Sequence, residues 1–110
     1  MHELATTQNL VNICEEAAAR EGFTRVLEIH LSIGAMTGII PQCLEEFFPY
    51  VSKDTVCDGA KLISSIVPVK VECPGCGYRG EAEGYECPRC GGGIRLIQGR
   101  EFFVDSLSVE

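Results

Sequence analysis

Four of the seven cysteines occur in two copies of one pattern, Cys73-Pro-Gly-Cys76-Gly and Cys87-Pro-Arg-Cys90-Gly, with ten residues between them. In each copy two thiols flank a tight turn, and the glycine that follows lets the backbone reverse, so both sulfurs point the same way. Two such knuckles complete a tetrahedral site of four thiolates. No coordination position is then left for water or substrate, so the expected role is structural rather than catalytic. Zinc is the expected ion. The same knuckles can hold iron, and a Cys-Pro-x-Cys pair without metal can act as a redox dithiol.

A second group of donors stands at the start of the sequence, Met1-His2-Glu3. A residue as large as histidine at position two normally preserves the initiator methionine, so the free amine belongs to Met1. That amine, the His2 backbone nitrogen and the His2 imidazole can close adjoining five- and six-membered chelate rings, and the Glu3 amide nitrogen comes next. A nitrogen-rich, nearly planar set of this kind suits Ni(II) or Cu(II). Taken alone, the three residues have a plainer explanation: a chance histidine near a fraying end, with Glu3 favourable to a helix dipole. The rest of the chain has to decide between the two.

The remaining reactive side chains suggest no catalytic machinery. His30 falls on the polar side of a strand, where a single histidine is ordinarily a surface or packing residue. Cys14 and Cys43 fall on helices and Cys57 in a loop, with no histidine close in sequence to activate them. Glu15-Glu16 and Glu45-Glu46 are adjacent on helices and so do not face each other as an acid-base pair. No Ser-His-Asp constellation, phosphate loop or dinucleotide fingerprint occurs. An enzyme is not expected.

With 110 residues, 45% of them apolar, the chain is long enough for one core plus a small insert stabilised by other means. The net charge is -7 and there is no basic cluster, which argues against nucleic acid. Zinc on four thiolates would move that charge to about -9. No apolar run approaches the roughly 18 residues of a membrane span, and no secretion signal precedes the first helix. The expected location is the cytoplasm, where thiols stay reduced and a cluster of cysteines is better explained by metal than by disulfides.

The elements that would position these donors follow from hydrophobic periodicity. A helix is predicted from Leu4 to Arg20, with an apolar stripe at Leu4, Thr7, Val11, Cys14 and Ala18 and a stop at Gly22. A strand follows in which Leu27, Ile29, Leu31 and Ile33 alternate with Glu28, His30 and Ser32. The loop "AMTGIIPQ" leads into a second helix from Pro41 to about Ser52, with Leu44, Phe47, Phe48 and Val51 turned inward. A mostly β stretch from about Ala60 to Glu72 is interrupted by Pro68. The closing "IRLIQGREFFVDSLSVE" returns to a strand pattern, with Phe103, Leu107 and Val109 at alternate positions apart from Asp105. The main domain thus resumes after an insertion.

Taken together, "MHE" at the start, "LSIGAMTGIIPQCLEEFF", the paired "CPGC" and "CPRC" and the closing "GREFFVDSLSVE" make the whole chain resemble the HypA family, the nickel metallochaperones of [NiFe]-hydrogenase maturation. The resemblance implies an α+β fold, a small mixed three-stranded sheet with two helices plus an inserted four-cysteine zinc-ribbon-like module. It divides the chain into a nickel-binding domain, 1–72 with 95–110, and a zinc-binding module, 73–94. It implies Ni(II) as transported cargo bound through Met1, His2 and Glu3, and structural Zn(II) on Cys73, Cys76, Cys87 and Cys90. The implied partners are a maturation GTPase and the hydrogenase large subunit. Some relatives carry an acidic ligand in the loop after the first strand, but "AMTGIIPQ" has no carboxylate, so none is expected there. The alternative is a zinc-ribbon module that recruits a partner protein and carries no nickel.

Overall fold

The computed structural model describes residues 3–110. Helix α1 spans Glu3–Glu21, two residues longer than its apolar stripe requires, and ends where the Gly22 amide donates to the Ala18 carbonyl at 2.8 Å. Gly22 has φ +83°, the left-handed geometry that glycine adopts without a Cβ clash at a helix end. The buried residues of α1 are Thr6, Thr7, Leu10, Val11 and Cys14. Leu4, expected inside, is 54% exposed because the stripe begins one turn later.

Strand β1, Val26–Gly34, supplies the centre of the core, with Ile29, Leu31 and Ile33 buried as the alternation requires. Leu27 departs from that pattern. It is half-exposed and Val26 is buried instead, because the pairing register with the last strand shifts between Val26 and Glu28 and turns the intervening side chain outward.

Helix α2 spans Pro41–Ser52, with Pro41 in its first turn and Pro49 inside it. Leu44 and Phe48 are buried, whereas Phe47, at the margin of that face, is 41% exposed. The two helices pack on each other and, through Leu10, Val11, Cys14, Leu44 and Phe48, cover one face of the sheet.

That sheet is completed by β2, Lys61–Val67, parallel to β1, and by β6, Phe102–Val109, antiparallel to it, in the order β2-β1-β6. Joining two parallel neighbours requires a crossover, and α2 provides it. In β6 the side chains that meet the core are Phe102, Val104 and Leu107; Phe103 and Val109, expected to share a face with Leu107, are exposed. The reason is a second register shift. His30 pairs with Ser106 and Leu31 with Val104, so Asp105 is left over and accepts a 2.6 Å hydrogen bond from the Ser32 hydroxyl.

The β stretch expected from 60 to 72 is divided at Pro68 between two sheets. Its second part, β3 (Lys70–Glu72), lies between β4 (Arg79–Gly80) and β5 (Arg95–Gln98) in a separate three-stranded sheet, β4-β3-β5. Residues 70–72 and 95–98 therefore pair with each other beside the cysteine segment, joined also by the Arg95 guanidinium 2.8 Å from the Glu72 carboxylate.

The two sheets meet where Gly34 approaches Gly99 too closely for a side chain; a Cβ on Gly34 would collide with the Gly99 carbonyl. The Gly34 amide donates to the Glu101 carbonyl (2.7 Å) and the Met36 amide to the Gly99 carbonyl (2.8 Å), which satisfies the backbone at the crossing.

Candidate metal centre

Each cysteine pair is built on the same turn. The Gly77 amide donates to the Cys73 carbonyl (2.9 Å) and the Cys73 amide to the Tyr78 carbonyl (2.8 Å). In the second copy, the Gly91 amide donates to the Cys87 carbonyl (2.9 Å) and the Cys87 amide to the Gly92 carbonyl (2.8 Å). Gly77 and Gly91 have φ of +80° and +75°, which explains why glycine closes both knuckles.

The sulfurs of Cys73, Cys76, Cys87 and Cys90 all lie within 4.8 Å of one another. Cys73 to Cys90 and Cys76 to Cys87 are both 3.6 Å. A tetrahedral ion with metal–sulfur bonds of about 2.3 Å has edges of about 3.8 Å, so the spacing fits one four-coordinate ion. All four thiols are free, as that requires.

Backbone amides support negative charge at the centre. Those of Arg89 and Cys90 approach the Cys87 sulfur at 3.4 Å, and that of Gly92 approaches the Cys90 sulfur at the same distance. Desolvation opposes ionisation of Cys87, but the Cys90 and Arg89 amides hold its thiol down at about 6. The Cys76 amide likewise lowers Cys73. Cys90 receives the Gly92 amide, yet the thiols of Cys73, Cys76 and Cys87 around it push it up to about 12. Four thiolates this close cannot all ionise unaided; a dication at their centre removes the conflict.

Little else holds this segment. Its buried apolar side chains are Val71 and the sulfur-bearing Cys73 and Cys87. Tyr78 is fixed at the surface by its hydroxyl on the Glu81 carbonyl (2.7 Å) and by the Arg89 guanidinium 5.5 Å above its ring. Tyr85 is almost wholly exposed.

The structure thus brings together all four cysteines expected to share a site. Among the described residues they are the only group of three or more His, Cys, Asp or Glu side chains placed to hold a metal. The nickel donors expected at Met1 and His2 lie outside the described residues, and Glu3 stands partly buried in the first turn of α1. His30 is on the outer face of the main sheet, its Nε2 3.2 Å from the Glu28 carboxylate, which also accepts from the Ser108 hydroxyl at 3.4 Å. In the loop after β1, the Thr37 hydroxyl donates to the Gly34 carbonyl and accepts from the Ile39 amide, a turn-forming role.

One association had no signal in the sequence: Cys14 on α1 and Cys57 in the segment before β2 are buried in the same apolar cluster. No helix among the described residues is long and apolar enough to cross a membrane.

A family model described as "Hydrogenase/urease nickel incorporation, metallochaperone, hypA" matches residues 1–109. Curated relatives called hydrogenase maturation factor HypA include one from Geobacter metallireducens, 41% identical with the whole of both chains covered. Another, from Caldanaerobacter subterraneus subsp. tengcongensis, is 36% identical over the same full coverage. Among solved structures, a HypA protein in solution superposes with a TM-score of 0.76 at 24% identity, covering 100% of this chain and 97% of that one. The nickel metallochaperone HypA from Helicobacter pylori superposes with a TM-score of 0.72 at 23% identity, over 99% and 97%. These structures share the fold described above.

Proposed function

The chain belongs to the HypA family, and from that premise we propose that it is a nickel metallochaperone with no reaction of its own. It binds Ni(II) at its N-terminus and passes it to the large subunit of a [NiFe]-hydrogenase, in the cytoplasm and together with a maturation GTPase. The observation that carries this reading is the closure of the four-cysteine centre, in which every thiol already faces the other three. Such a site has no open position through which cargo could be exchanged. Transported nickel therefore needs another donor set, and Met1-His2-Glu3 is the nitrogen-rich one in the sequence. The ligands are the Met1 amine, the His2 backbone nitrogen and imidazole, and the Glu3 amide nitrogen.

We assign Zn(II) to Cys73, Cys76, Cys87 and Cys90, since four anionic soft donors at tetrahedral spacing suit an ion with no redox chemistry. The division of labour is a nickel-binding domain, 1–72 with 95–110, and a zinc module, 73–94, a reading supported by the pairing of β3 with β5, which holds the two ends of the module together. Because the amine, amides and imidazole must shed protons to bind, nickel affinity should fall as pH drops below the roughly 7.7 to 8 of a free amine.

The test compares Ni(II) uptake by protein starting at Met1 with uptake by protein carrying one added residue before it, which converts the amine to an amide. One equivalent is expected in the first case and a large loss of affinity in the second. Identical titrations would remove the amine from the ligand set, and no uptake by either would favour a module that only recruits a partner.

A further inference from the structure

The segment between the two knuckles carries Glu81, Glu83 and Glu86 together with Tyr78 and Tyr85. All five line one open cleft of about 910 Å³, which also reaches Cys87 and Pro88 of the second knuckle. A smaller cavity of about 200 Å³ continues from it, because Val69, Ala82, Gly84 and Tyr85 line both. The smaller one is an apolar trough, formed by Met36, Val71, Ile94 and Leu96 besides Val69. It lies where the two sheets meet, and the chain around Val69 is held there on two sides. The Gln98 side-chain amide donates to the Pro68 carbonyl at 2.9 Å, and Gly99 packs so close that a Cβ on it would stand 3.1 Å from the Val69 Cα. The groove is therefore preformed, which lowers the ordering cost of filling it.

Its surface and its charge decide what fits. Tyr85 is 93% exposed and Met36 50%, so aromatic and thioether surface stands in water with nothing of this chain over it. The carboxylates of Glu81, Glu83 and Glu86 make no hydrogen bond or ion pair with other described residues. Arg89 lies over the Tyr78 ring instead. Among the described residues Arg100 is the only cation lining either cavity, and it belongs to the smaller one. An acidic cleft that runs into an apolar trough calls for cationic groups next to an apolar one. A second copy of this chain, at -7, would bring like charge to the cleft. A small polycation would satisfy the carboxylates but leave the trough empty.

We propose that this groove docks an extended segment of a partner protein in which basic side chains flank an apolar one. The basic groups meet Glu81, Glu83 and Glu86, and the apolar side chain enters the trough lined by Val69, Val71 and Leu96. Tyr85, common to both cavities, is the aromatic anchor that covers the join. Attraction at the acidic end speeds encounter and weakens with salt, whereas the trough fixes the register. The groove shares no residue with Met1-His2-Glu3, so it does not depend on where nickel binds.

The probe is the peptide acetyl-Lys-Leu-Lys-Leu-Lys-amide, titrated into the zinc-loaded full chain and followed by amide chemical shifts. Shifts are expected at 69–71, 81–86 and 94–96. Acetyl-Lys-Gly-Lys-Gly-Lys-amide and spermidine carry the charge without the apolar side chain and should bind about tenfold more weakly. Tyr85→Ala should weaken the leucine peptide about tenfold, and the combined Glu81→Gln, Glu83→Gln and Glu86→Gln variant at least as much, with zinc content unchanged. All four of these residues are exposed, so both variants should fold. Glu45→Gln with Glu46→Gln on α2 should leave binding unaltered. Equal binding of the leucine and glycine peptides would reduce the groove to a patch of negative charge and overturn the proposal. Shifts confined to α1 and α2 would do the same, as would undiminished binding after the three glutamine substitutions or no binding at millimolar peptide.

Discussion

The sheet β2-β1-β6 with its two helices and the sheet β4-β3-β5 with its four cysteines are held together by different physics. The first buries Leu10, Val11, Ile29, Leu31, Ile33, Leu44, Phe48 and Leu62 in one cluster, and burial of that kind stabilises by about 1.5–3 kcal/mol per large side chain. The second buries little beyond Val71, Cys73 and Cys87. Its strands run to only three, two and four residues. Isolated strands that short are marginal in water, so the sulfur centre has to act as the core. Two regions stabilised by different means within one chain should fail separately.

The sharpest way to break that comparison is to remove one sulfur. Cys87→Ala leaves three thiolates, which cannot close the site, and is expected to abolish the fold of residues 70–98 while the main domain stays folded. Amide hydrogen exchange reads both regions at once. Protection retained around the cysteines would show that the module does not depend on its metal.

The converse substitution, Leu44→Ala, removes a fully buried side chain from the main core and should cost about 2–5 kcal/mol. Chemical denaturation measures the loss, and metal content should stay at one equivalent. Loss of metal in step with stability would mean that the two regions unfold as one.

The smallest effect is expected at Glu72, paired with Arg95 at the surface. The Arg95 guanidinium holds the Glu72 carboxyl below its ordinary 4.5. The pair therefore stabilises the module above pH 4.5 and loses that contribution as pH falls through the lowered value. Glu72→Gln should leave the metal in place and differ from the unsubstituted chain slightly near neutral pH and not at all in acid. A difference that grows towards acid would contradict that sign.

The cysteine centre was fully legible in the sequence because its signal is local: two turns of identical chemistry, each complete within five residues. Both helices and the central strand were legible for a related reason, since a buried stripe repeats with the period of the element that carries it. The features that escaped depend on pairing partners. The register shifts that expose Leu27 and Phe103 arise from how β6 lies against β1. The division of residues 60–72 between two sheets depends on β5, more than twenty residues further on. The burial of Cys14 and Cys57 in one cluster likewise joins an early helix to a later turn through the fold alone. Gly34 is fixed as glycine by the Gly99 carbonyl, far along the chain, and Gly99 by its φ of +124° and the crowding of Val69.

The central claim is that the cysteines hold the frame and the terminus holds the cargo. Its most direct test is calorimetric Ni(II) titration of zinc-loaded His2→Ala, starting at Met1, beside the unsubstituted chain. Nickel binding is expected to be lost while one equivalent of zinc and the thermal transition are unchanged. Unaltered nickel affinity in His2→Ala would place the cargo elsewhere and contradict it.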